Sequence, residues 1–146
     1  MADLHRDDLI DVADDVRALM NDIDATLADA GRLRGECRPP LDVVETAKAV
    51  EVIVDVPGLA PSAIRVLMRR NVLMVVGAKA PAAGERPSRV HVAERNYGRF
   101  ARTVRVDAAV DATRATASLR RGQLRIVLPR LDDRRGLSIP IPIEAA

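Results

Sequence analysis

Apolar residues recur at helical spacing near the start of the chain. They fall three or four residues apart from Leu9 to Leu27, whereas most of the Asp residues lie off that face. The apolar stripe consists of Leu9, Val12, Val16, Leu19, Met20, Ile23 and Leu27. We expect Asp7 or Asp8 to cap this helix and Gly31 to end it. The stripe needs a cover, which the body of the same chain or a second copy of the helix would provide.

After Pro40 the apolar period changes to two, which indicates β-strands. Turn residues separate eight short segments of this kind: Leu41–Thr46, Ala49–Val56, Ala63–Arg69, Val72–Gly77, Arg89–Glu94, Arg99–Val106, Ala115–Leu119 and Gln123–Leu128. Tight turns are expected at Arg70-Asn71 and at Arg120-Arg121-Gly122, where the glycine supplies a positive φ. Short strands at this spacing predict an all-β sandwich.

A different alternation lies near the C-terminus, Ile139-Pro140-Ile141-Pro142-Ile143. In an extended chain the three isoleucines lie on one face. Because proline lacks an N–H, the segment can pair with a sheet edge along one side but cannot donate to a further strand. These properties are typical of a plug for the groove of another subunit. A final edge strand of the chain's own sandwich, or a Pro-rich tail without a role, are the alternatives.

The composition limits the core and the compartment. Tyr97 and Phe100 are the only aromatic residues, so the core must be aliphatic. No apolar run approaches the roughly 18 residues that span a bilayer, and the acidic N-terminus does not resemble a signal peptide. The single cysteine, Cys37, excludes an internal disulfide and fits a reducing cytoplasm. We therefore expect a cytoplasmic protein in which Cys37 is an incidental linker thiol.

Charge is unequally divided along the chain. Residues 1–38 hold ten acidic and five basic residues, whereas residues 39–146 hold eleven acidic and eighteen basic ones. An acidic arm beside a basic body favours self-association between copies. The basic body also raises nucleic-acid binding, but its arginines are scattered and no aromatic platform accompanies them. We do not expect nucleic acid as a partner.

An enzymatic site is not indicated. His5 and His91 are the two histidines, and no carboxylate or thiol lies at the spacing of a catalytic triad or a metal site. The following glycines are assigned to turns rather than to a phosphate-binding loop: Gly35, Gly58, Gly77 and Gly122. We therefore expect no catalytic residue, no metal, no cofactor and no small-molecule substrate.

Five stretches of the body and tail carry recognisable motifs. They are Val52–Gly58 with its Pro-Gly turn, the hairpin made by Ile64-Arg65-Val66 and Asn71-Val72-Leu73, Glu94–Phe100, Ala117–Leu124, and the terminal Ile-Pro-Ile. Ala117–Leu124 resembles the A-x-x-x-n-G-x-L motif that closes the α-crystallin domain of small heat-shock proteins, the Hsp20 or α-crystallin family. Glu94–Phe100 resembles the family's E-R-x-x-G-x-F segment, and the terminal motif resembles its I-x-I tail. The resemblance covers about residues 40–143.

This resemblance implies an immunoglobulin-like α-crystallin sandwich of seven or eight strands that dimerises and assembles into larger homo-oligomers. It implies an ATP-independent chaperone of the stress response, which holds partly unfolded client proteins and prevents their aggregation. We accordingly expect an N-terminal helical arm (residues 1–38), an α-crystallin domain (39–130) and a C-terminal extension (131–146). A dedicated scaffold or co-chaperone with one specific partner on the same fold is the alternative.

The resemblance also implies where assembly contacts lie. The tail residues Ile139, Ile141 and Ile143 are expected to bind a groove of a neighbouring dimer, and Ile139/Ile141 fits the motif as well as Ile141/Ile143. Periodicity does not settle which face lines the groove, for which we expect Val66, Met68, Ala117 and Leu119. The strand Arg89–Ala93 is expected to swap onto the partner's sheet, with an internal edge strand as the alternative.

The dimer interface implied by the resemblance consists of Val90, His91, Val92, Glu94, Arg95 and Arg102. A solvated strand arginine explains Arg102 equally well. The arm departs from the family, whose arms are usually rich in phenylalanine, because residues 1–38 contain none. Its aliphatic stripe would either bind clients, for which flexible Met20 is suited, or simply pack within the assembly.

Overall fold

Seven β-strands follow one helix in the part of the chain that the structure describes. This computed structural model describes residues 6–26, 36–81, 89–131, 138 and 140–145. The helix, α1, spans Arg6–Thr26. The strands are β1 (Leu41–Glu45), β2 (Ala49–Asp55), β3 (Ile64–Arg69), β4 (Val72–Lys79), β5 (Gly98–Arg105), β6 (Thr116–Arg120) and β7 (Gln123–Pro129). Short 3-10 turns at Pro61–Ala63 and Ala112–Arg114 precede β3 and β6.

The strands form two antiparallel sheets around an aliphatic core. One sheet has the order β1-β2-β7-β6, and the other has the order β3-β4-β5. β2 contributes Val50, Val52 and Val54 to the core, since every second side chain of a strand faces the same way. Among the described members of this core, Phe100 of β5 is aromatic and the others are aliphatic. The predicted all-β sandwich is confirmed.

Tight turns join neighbouring strands where the sequence predicts them. Arg70 lies in the turn between β3 and β4 with a φ of 53°. Between β6 and β7, Arg121 (φ 50°) and Gly122 (φ 77°) are both left-handed, as a type I′ hairpin turn requires. A Cβ on Gly122 would also lie 3.0 Å from the Cα atom of Pro57. Conformation and space therefore both favour glycine at this position.

Gly77 lies within β4, so its assignment to a turn is wrong. It pairs with Phe100 across the β4–β5 ladder. A Cβ at Gly77 would lie 2.3 Å from the Phe100 ring, closer than real side chains approach. Gly77 thus leaves the space that the phenyl ring occupies. Gly58 and Gly122 do lie in turns, whereas Gly35 is outside the described residues.

The body of the same chain covers the helix. α1 packs on the outer face of the β3-β4-β5 sheet, where a second apolar cluster contains Ile23, Val76 and Ala78 with Val16, Leu19 and Met20 around them. β4 is consequently buried on both faces from Val72 to Ala78. Among the described residues, no helix is long and apolar enough to cross a membrane.

The predicted start of the helix differs from the observed one. Asp7 and Asp8 lie in the first turn of α1 rather than at a cap, so their prediction as capping residues is wrong. Acidic side chains in a first turn still interact favourably with the helix dipole. Leu27 and Gly31, predicted to continue and end the helix, lie outside the described residues.

The predicted strand Arg89–Glu94 is not formed in this chain. Residues 89–97 contain no strand, and Val90 and Val92 are 71% and 74% exposed. Alternation of apolar residues makes a strand only where a sheet edge accepts its backbone hydrogen bonds, and none of the described strands forms a ladder with residues 89–97. The described part of the sandwich therefore has seven strands, and the alternative of an internal edge strand at this segment is wrong.

Candidate assembly and binding surfaces

Val66 and Met68 form a partly exposed apolar surface on the inward face of β3. β3 is the last strand of its sheet, so it has β4 as its one neighbour. Val66 and Met68 pair with Val75 and Leu73, which are core residues of β4, so both point into the sandwich. They pack against the core but remain partly exposed, because no described strand continues the sheet beyond them.

β6 takes the same position in the other sheet. Ala117 and Leu119 pair with the buried residues Ile126 and Leu124 of β7, so they also face inward. Leu119 is half-buried against the core, whereas Ala117 is exposed. All four residues predicted for the tail-binding groove therefore lie on inward faces at the open ends of the sheets. We refer to Val66, Met68, Ala117 and Leu119 as the edge strip.

The tail does not occupy a groove of its own chain. The described tail residues, 138 and 140–145, are exposed and contain no strand. Ile141 is 85% exposed and Ile143 is 98% exposed, while Ile139 lies outside the described residues. The alternative of a final edge strand within the chain's own sandwich is therefore wrong for this segment.

A second open edge lies on β1. This strand ends the four-stranded sheet and pairs with β2 alone among the described strands. Val43 and Val44 are 47% and 44% exposed, and as neighbours they point to opposite faces. The chain thus presents a sheet edge with an apolar side chain on each face. It also presents the exposed Val90 and Val92 in a segment that no described strand pairs with.

The polar residues predicted for the dimer interface differ in their surroundings. His91, Glu94 and Arg95 are exposed in the segment before β5, where the Arg95 guanidinium lies 5.1 Å from the centroid of the Tyr97 ring. Arg102 of β5 is half-buried, and its Nη1 donates a hydrogen bond to the Pro39 carbonyl at 2.6 Å.

Burial of Arg102, together with the neighbouring Arg38, lowers the pKa of its guanidinium from the ordinary value. Arg102 is therefore a half-buried strand arginine with a backbone partner, and its place at a dimer interface stays a prediction. Its hydrogen bond fastens the segment that leads into β1 to β5, on the inward side of the sandwich. Arg102 thus helps to position the β1 edge.

A cavity of about 280 Å³ beside this segment has no counterpart in the sequence patterns. Its lining includes Cys37, Leu59, Lys79 and Phe100. The Cys37 N–H donates to the Arg99 carbonyl at 3.1 Å, and its side chain packs partly against the core. Cys37 lies in the segment before β1, as predicted for a linker thiol, but it has contacts with the sandwich. Burial raises the pKa of the Cys37 thiol, against an opposing effect of Lys79. A protonated, half-buried thiol is a poor nucleophile.

Metal ligands are not gathered anywhere in the described ranges, which contain no group of three or more His, Cys, Asp or Glu residues placed to hold an ion.

Comparison with known proteins identifies the arrangement. The Hsp20/alpha crystallin family model matches residues 42–144, a stretch that contains β2 to β7, all but the first residue of β1, the edge strip and the described tail through Glu144. The chain belongs to the Hsp20/alpha crystallin family. It thereby belongs to a family of small heat-shock chaperones.

Individual Hsp20 relatives agree with this assignment. The chain is 36% identical over 104 residues to an 18.9 kDa heat shock protein of Oryza sativa subsp. japonica, a match that covers 70% of this chain and 59% of that protein. This chain therefore spans less than two thirds of that relative's length.

Solved Hsp20 structures confirm the predicted α-crystallin sandwich. Heat shock protein 16.0 of Schizosaccharomyces pombe has a TM-score of 0.61 at 28% identity, over 75% of this chain and 100% of that one. A small heat-shock protein from Xylella fastidiosa, whose structure is described as revealing a distinct high order structure, has a TM-score of 0.63 at 27% identity. That match covers 77% of this chain and 99% of the other.

The helix α1 precedes the stretch that matches the Hsp20 model, yet ion pairs fasten it to that stretch. They are Asp8–Arg70, Asp11–Arg69 (3.8 Å), Asp15–Arg69, Asp22–Arg65 (3.7 Å) and Asp24–Arg99 (3.0 Å). The opposite charges of the arm and the body therefore form ion pairs within one chain. Sequence reasoning missed these pairs. The signal was the spacing of the Asp residues, which places several of them on one helix face.

Proposed function

We propose that this Hsp20-family chain is an ATP-independent holdase that binds partly unfolded proteins and prevents their aggregation. It works in the cytoplasm as a dynamic homo-oligomer of dimers and catalyses no reaction. Within the chain, residues 1–38 act as the arm, 39–130 as the α-crystallin domain and 131–146 as the extension. The chaperone character follows from the family, and the assembly follows from surfaces that the single chain leaves open.

The observation that carries the proposal is an apolar tail and an apolar strip that do not meet within one chain. Ile141 and Ile143 lie almost completely in solvent, although each is a large aliphatic residue. Val66, Met68 and Leu119 of the edge strip stay half-open at the ends of two sheets. Since the chain does not join them, the natural partner for each is another copy. The high order structure named for the Xylella fastidiosa protein supports this assembly.

A tail contact of this kind is weak enough to be reversible. Burying two isoleucine side chains contributes about 3–6 kcal/mol. Ordering the tail costs about 1 kcal/mol or more for each residue that becomes fixed. The two contributions nearly cancel, so tails are expected to bind and dissociate. An assembly held in this way can open and expose client-binding surface.

The dimer within this assembly is proposed to form by strand exchange. The segment that contains Val90 and Val92 would pair with the free edge of a partner's β1, beside Val43 and Val44. His91, Glu94 and Arg95 would then lie at the interface, with Arg102 behind it. What supports this is that the segment and the edge are both apolar and both lack a partner strand among the described residues.

The arm's contribution to client binding depends on whether α1 stays docked. In the docked helix Ile23 is fully buried, and Val16, Leu19 and Met20 are partly covered. Leu9 is exposed and Val12 is half-buried. Most of the stripe is therefore available to clients only after α1 leaves the sheet.

The assembly is tested by sizing the full chain with multi-angle light scattering. The intact chain is expected to be larger than a dimer, and Ile139→Ala/Ile141→Ala/Ile143→Ala is expected to shift it to dimers. Leu131→Ala serves as the control, because Leu131 is also an exposed apolar residue but lies outside the motif. If the intact chain is already a dimer and the tail variant has the same mass, the tail does not act as a plug.

Holdase activity is tested by heating several unrelated proteins with and without the chain, in the absence of ATP. Suppressed light scattering for all of them supports a general holdase. Protection of a single protein favours a dedicated scaffold, and salt-sensitive DNA binding without protection would favour a nucleic-acid role. These outcomes do not depend on the oligomeric mass, so activity and assembly can fail separately.

A further inference from the structure

The ion pairs between α1 and β3 with its following turn have a fixed register. Asp8 meets Arg70, Asp15 meets Arg69 and Asp22 meets Arg65, so the helix runs antiparallel to the strand. The helix rises about 21 Å from the first to the last of these Asp residues. The strand covers about 17 Å from the first to the last of the Arg residues. Because these lengths are similar, acidic groups on one helix face meet basic groups along nearly the whole edge strand.

A further ion pair with α1 lies at the opposite edge of this sheet, on β5. The Nε of Arg99 on β5 donates to Oδ1 of Asp24 at 3.0 Å. An apolar floor lies between Arg99 and the arginines at the β3 edge. There Ile23 packs against Val76 and Ala78. The outer face of this sheet is therefore an apolar strip flanked by arginines on both sides. We refer to this surface, with Arg65, Arg69, Arg70, Arg99, Val76 and Ala78, as the outer-sheet surface.

The occupant of this surface has a defined chemistry. α1 contains seven Asp and two Arg residues, a net charge of −5, together with an apolar stripe. A helix of this kind packs its apolar stripe on the floor and pairs its Asp carboxylates with the arginines. A basic amphipathic helix would meet the floor but would be repelled by the arginines. Charge complementarity thus specifies acidic amphipathic helices.

α1 is held in a manner that allows it to be displaced. The side chains of Arg69 and Asp11 are each 45% exposed and that of Arg70 is 68% exposed, whereas that of Asp15 is 16% exposed. Ion pairs that are open to solvent are individually weak and are screened by salt. Most of the stability of a helix in a protein comes from packing of its amphipathic face, so the order of α1 depends on docking.

We propose that the outer-sheet surface is a docking site for acidic amphipathic helices of other proteins, and that α1 is its intramolecular occupant. An incoming helix binds when α1 leaves, and the arginines select it by charge. This inference extends the proposed holdase role by giving the chain a client preference. It concerns binding of a helix rather than suppression of aggregation, so the two can fail independently.

The test uses the full chain and two labelled 21-residue peptides. Both carry Leu at the apolar positions of α1. One carries Asp at the α1 acidic positions, and the other carries Lys there. Asp11→Asn/Asp15→Asn weakens docking of α1 at Arg69, whereas Asp7→Asn/Asp14→Asn changes the charge equally at exposed positions, of which Asp14 pairs within the helix. The first variant is expected to bind the acidic peptide severalfold more tightly than the second.

Three further measurements locate the site. The Lys peptide is expected to bind the parent chain at least tenfold more weakly than the acidic one, and Arg65→Gln/Arg69→Gln is expected to reduce this preference. Amide hydrogen exchange is expected to accelerate in α1 when the acidic peptide binds. Equal binding of both peptides, or bound acidic peptide with α1 still protected, would overturn the proposal. Apparent affinity that falls as the chain concentration rises would also overturn it, because α1 of a second copy would then be the occupant.

Discussion

Arg69 of β3 holds the carboxylate of Asp15 of α1 in a fork. The Nη2 atom of Arg69 lies 3.0 Å from Oδ1, and its Nε contacts Oδ2 of the same carboxylate. The hydrogen bonds to Asp15 and its charge raise the pKa of the Arg69 guanidinium. Since this shift lies far above neutral pH, salt rather than acidity is the condition that weakens the pair.

Breaking this fork is expected to loosen α1 without unfolding the sandwich. Asp15→Asn and Arg69→Gln should each accelerate hydrogen exchange of α1 amides severalfold at low salt, and the double variant should add little to either. The acceleration of exchange should be smaller in about 0.5 M salt, where the screening length is roughly 4 Å. Asp14→Asn, which alters a pair within the helix, is the control. Additive effects of the two single changes would show that the residues do not act as a pair.

Filling the space at Gly77 is expected to destabilise the fold. Gly77→Ala places a methyl group against the Phe100 ring and near the Ala63 carbonyl. Overpacking of this kind costs about 1–3 kcal/mol, which urea unfolding would measure. Phe100→Leu costs stability by itself but should tolerate Gly77→Ala, so the double variant is expected to be more stable than the sum of the single changes predicts. Without such recovery, the ring would not be the cause.

Introducing positive charge at Val90 and Val92, in the segment before β5, is expected to weaken the proposed dimer. Val90→Lys/Val92→Lys should leave monomer stability unchanged, because both side chains are exposed in the single chain. It should weaken dimerisation on the order of tenfold or more, since apolar area buried between chains is lost. Sedimentation across a concentration series measures this. Ile10→Lys/Leu131→Lys makes an equal charge change at exposed apolar sites, and comparable weakening there would argue against strand exchange.

Cys37 is expected to be slow to alkylate. Burial keeps its pKa above the ordinary value of 9.0, so little thiolate forms in the folded chain at pH 8. Iodoacetamide should therefore react faster in urea than in buffer. As pH rises above 9, the unfolded state loses its proton first, so folding stability should fall between 9 and the folded pKa. Cys37→Ala should lack this contribution.

A further variant tests the position of Cys37. Arg102→Gln removes the bond to the Pro39 carbonyl and should expose the thiol, so that alkylation in buffer accelerates. A change that lowers global stability equally at a distant core site, such as Leu128→Val, should accelerate it less. Equal acceleration in the two variants would mean that the Arg102 bond does not hold this segment in place.

The sequence predicted the sandwich well because strand alternation is a local property. β2 and β7 alternate clearly, and the glycine turn at Gly122 has a local conformational cause. The run from Val72 to Ala78 also indicated where the helix packs. It is apolar at almost every position, and the structure shows that both of its faces are covered. An unbroken apolar strand beside an amphipathic helix was a signal that the helix packs on that strand.

Other features depend on contacts that periodicity does not contain. Residues 89–94 alternate as a strand does, but a strand needs an edge to pair with. Arg102 and Cys37 looked incidental because their partners, Pro39 and the Gly98–Arg99 backbone, are remote in sequence. The register between α1 and β3 requires knowing that the two run antiparallel. The edge strip lay at predicted positions, but its inward direction followed from pairing with β4 and β7.

The open side of β1 has a consequence for the chain before it finds a partner. An unpaired strand with apolar side chains on both faces is a template to which other chains can add without limit, as in amyloid. The tail avoids this hazard, because Pro140 and Pro142 cannot pass hydrogen bonds on to a further strand. A monomer of this protein therefore exposes an aggregation-prone edge, which the proposed pairing of β1 with a partner's segment would cover.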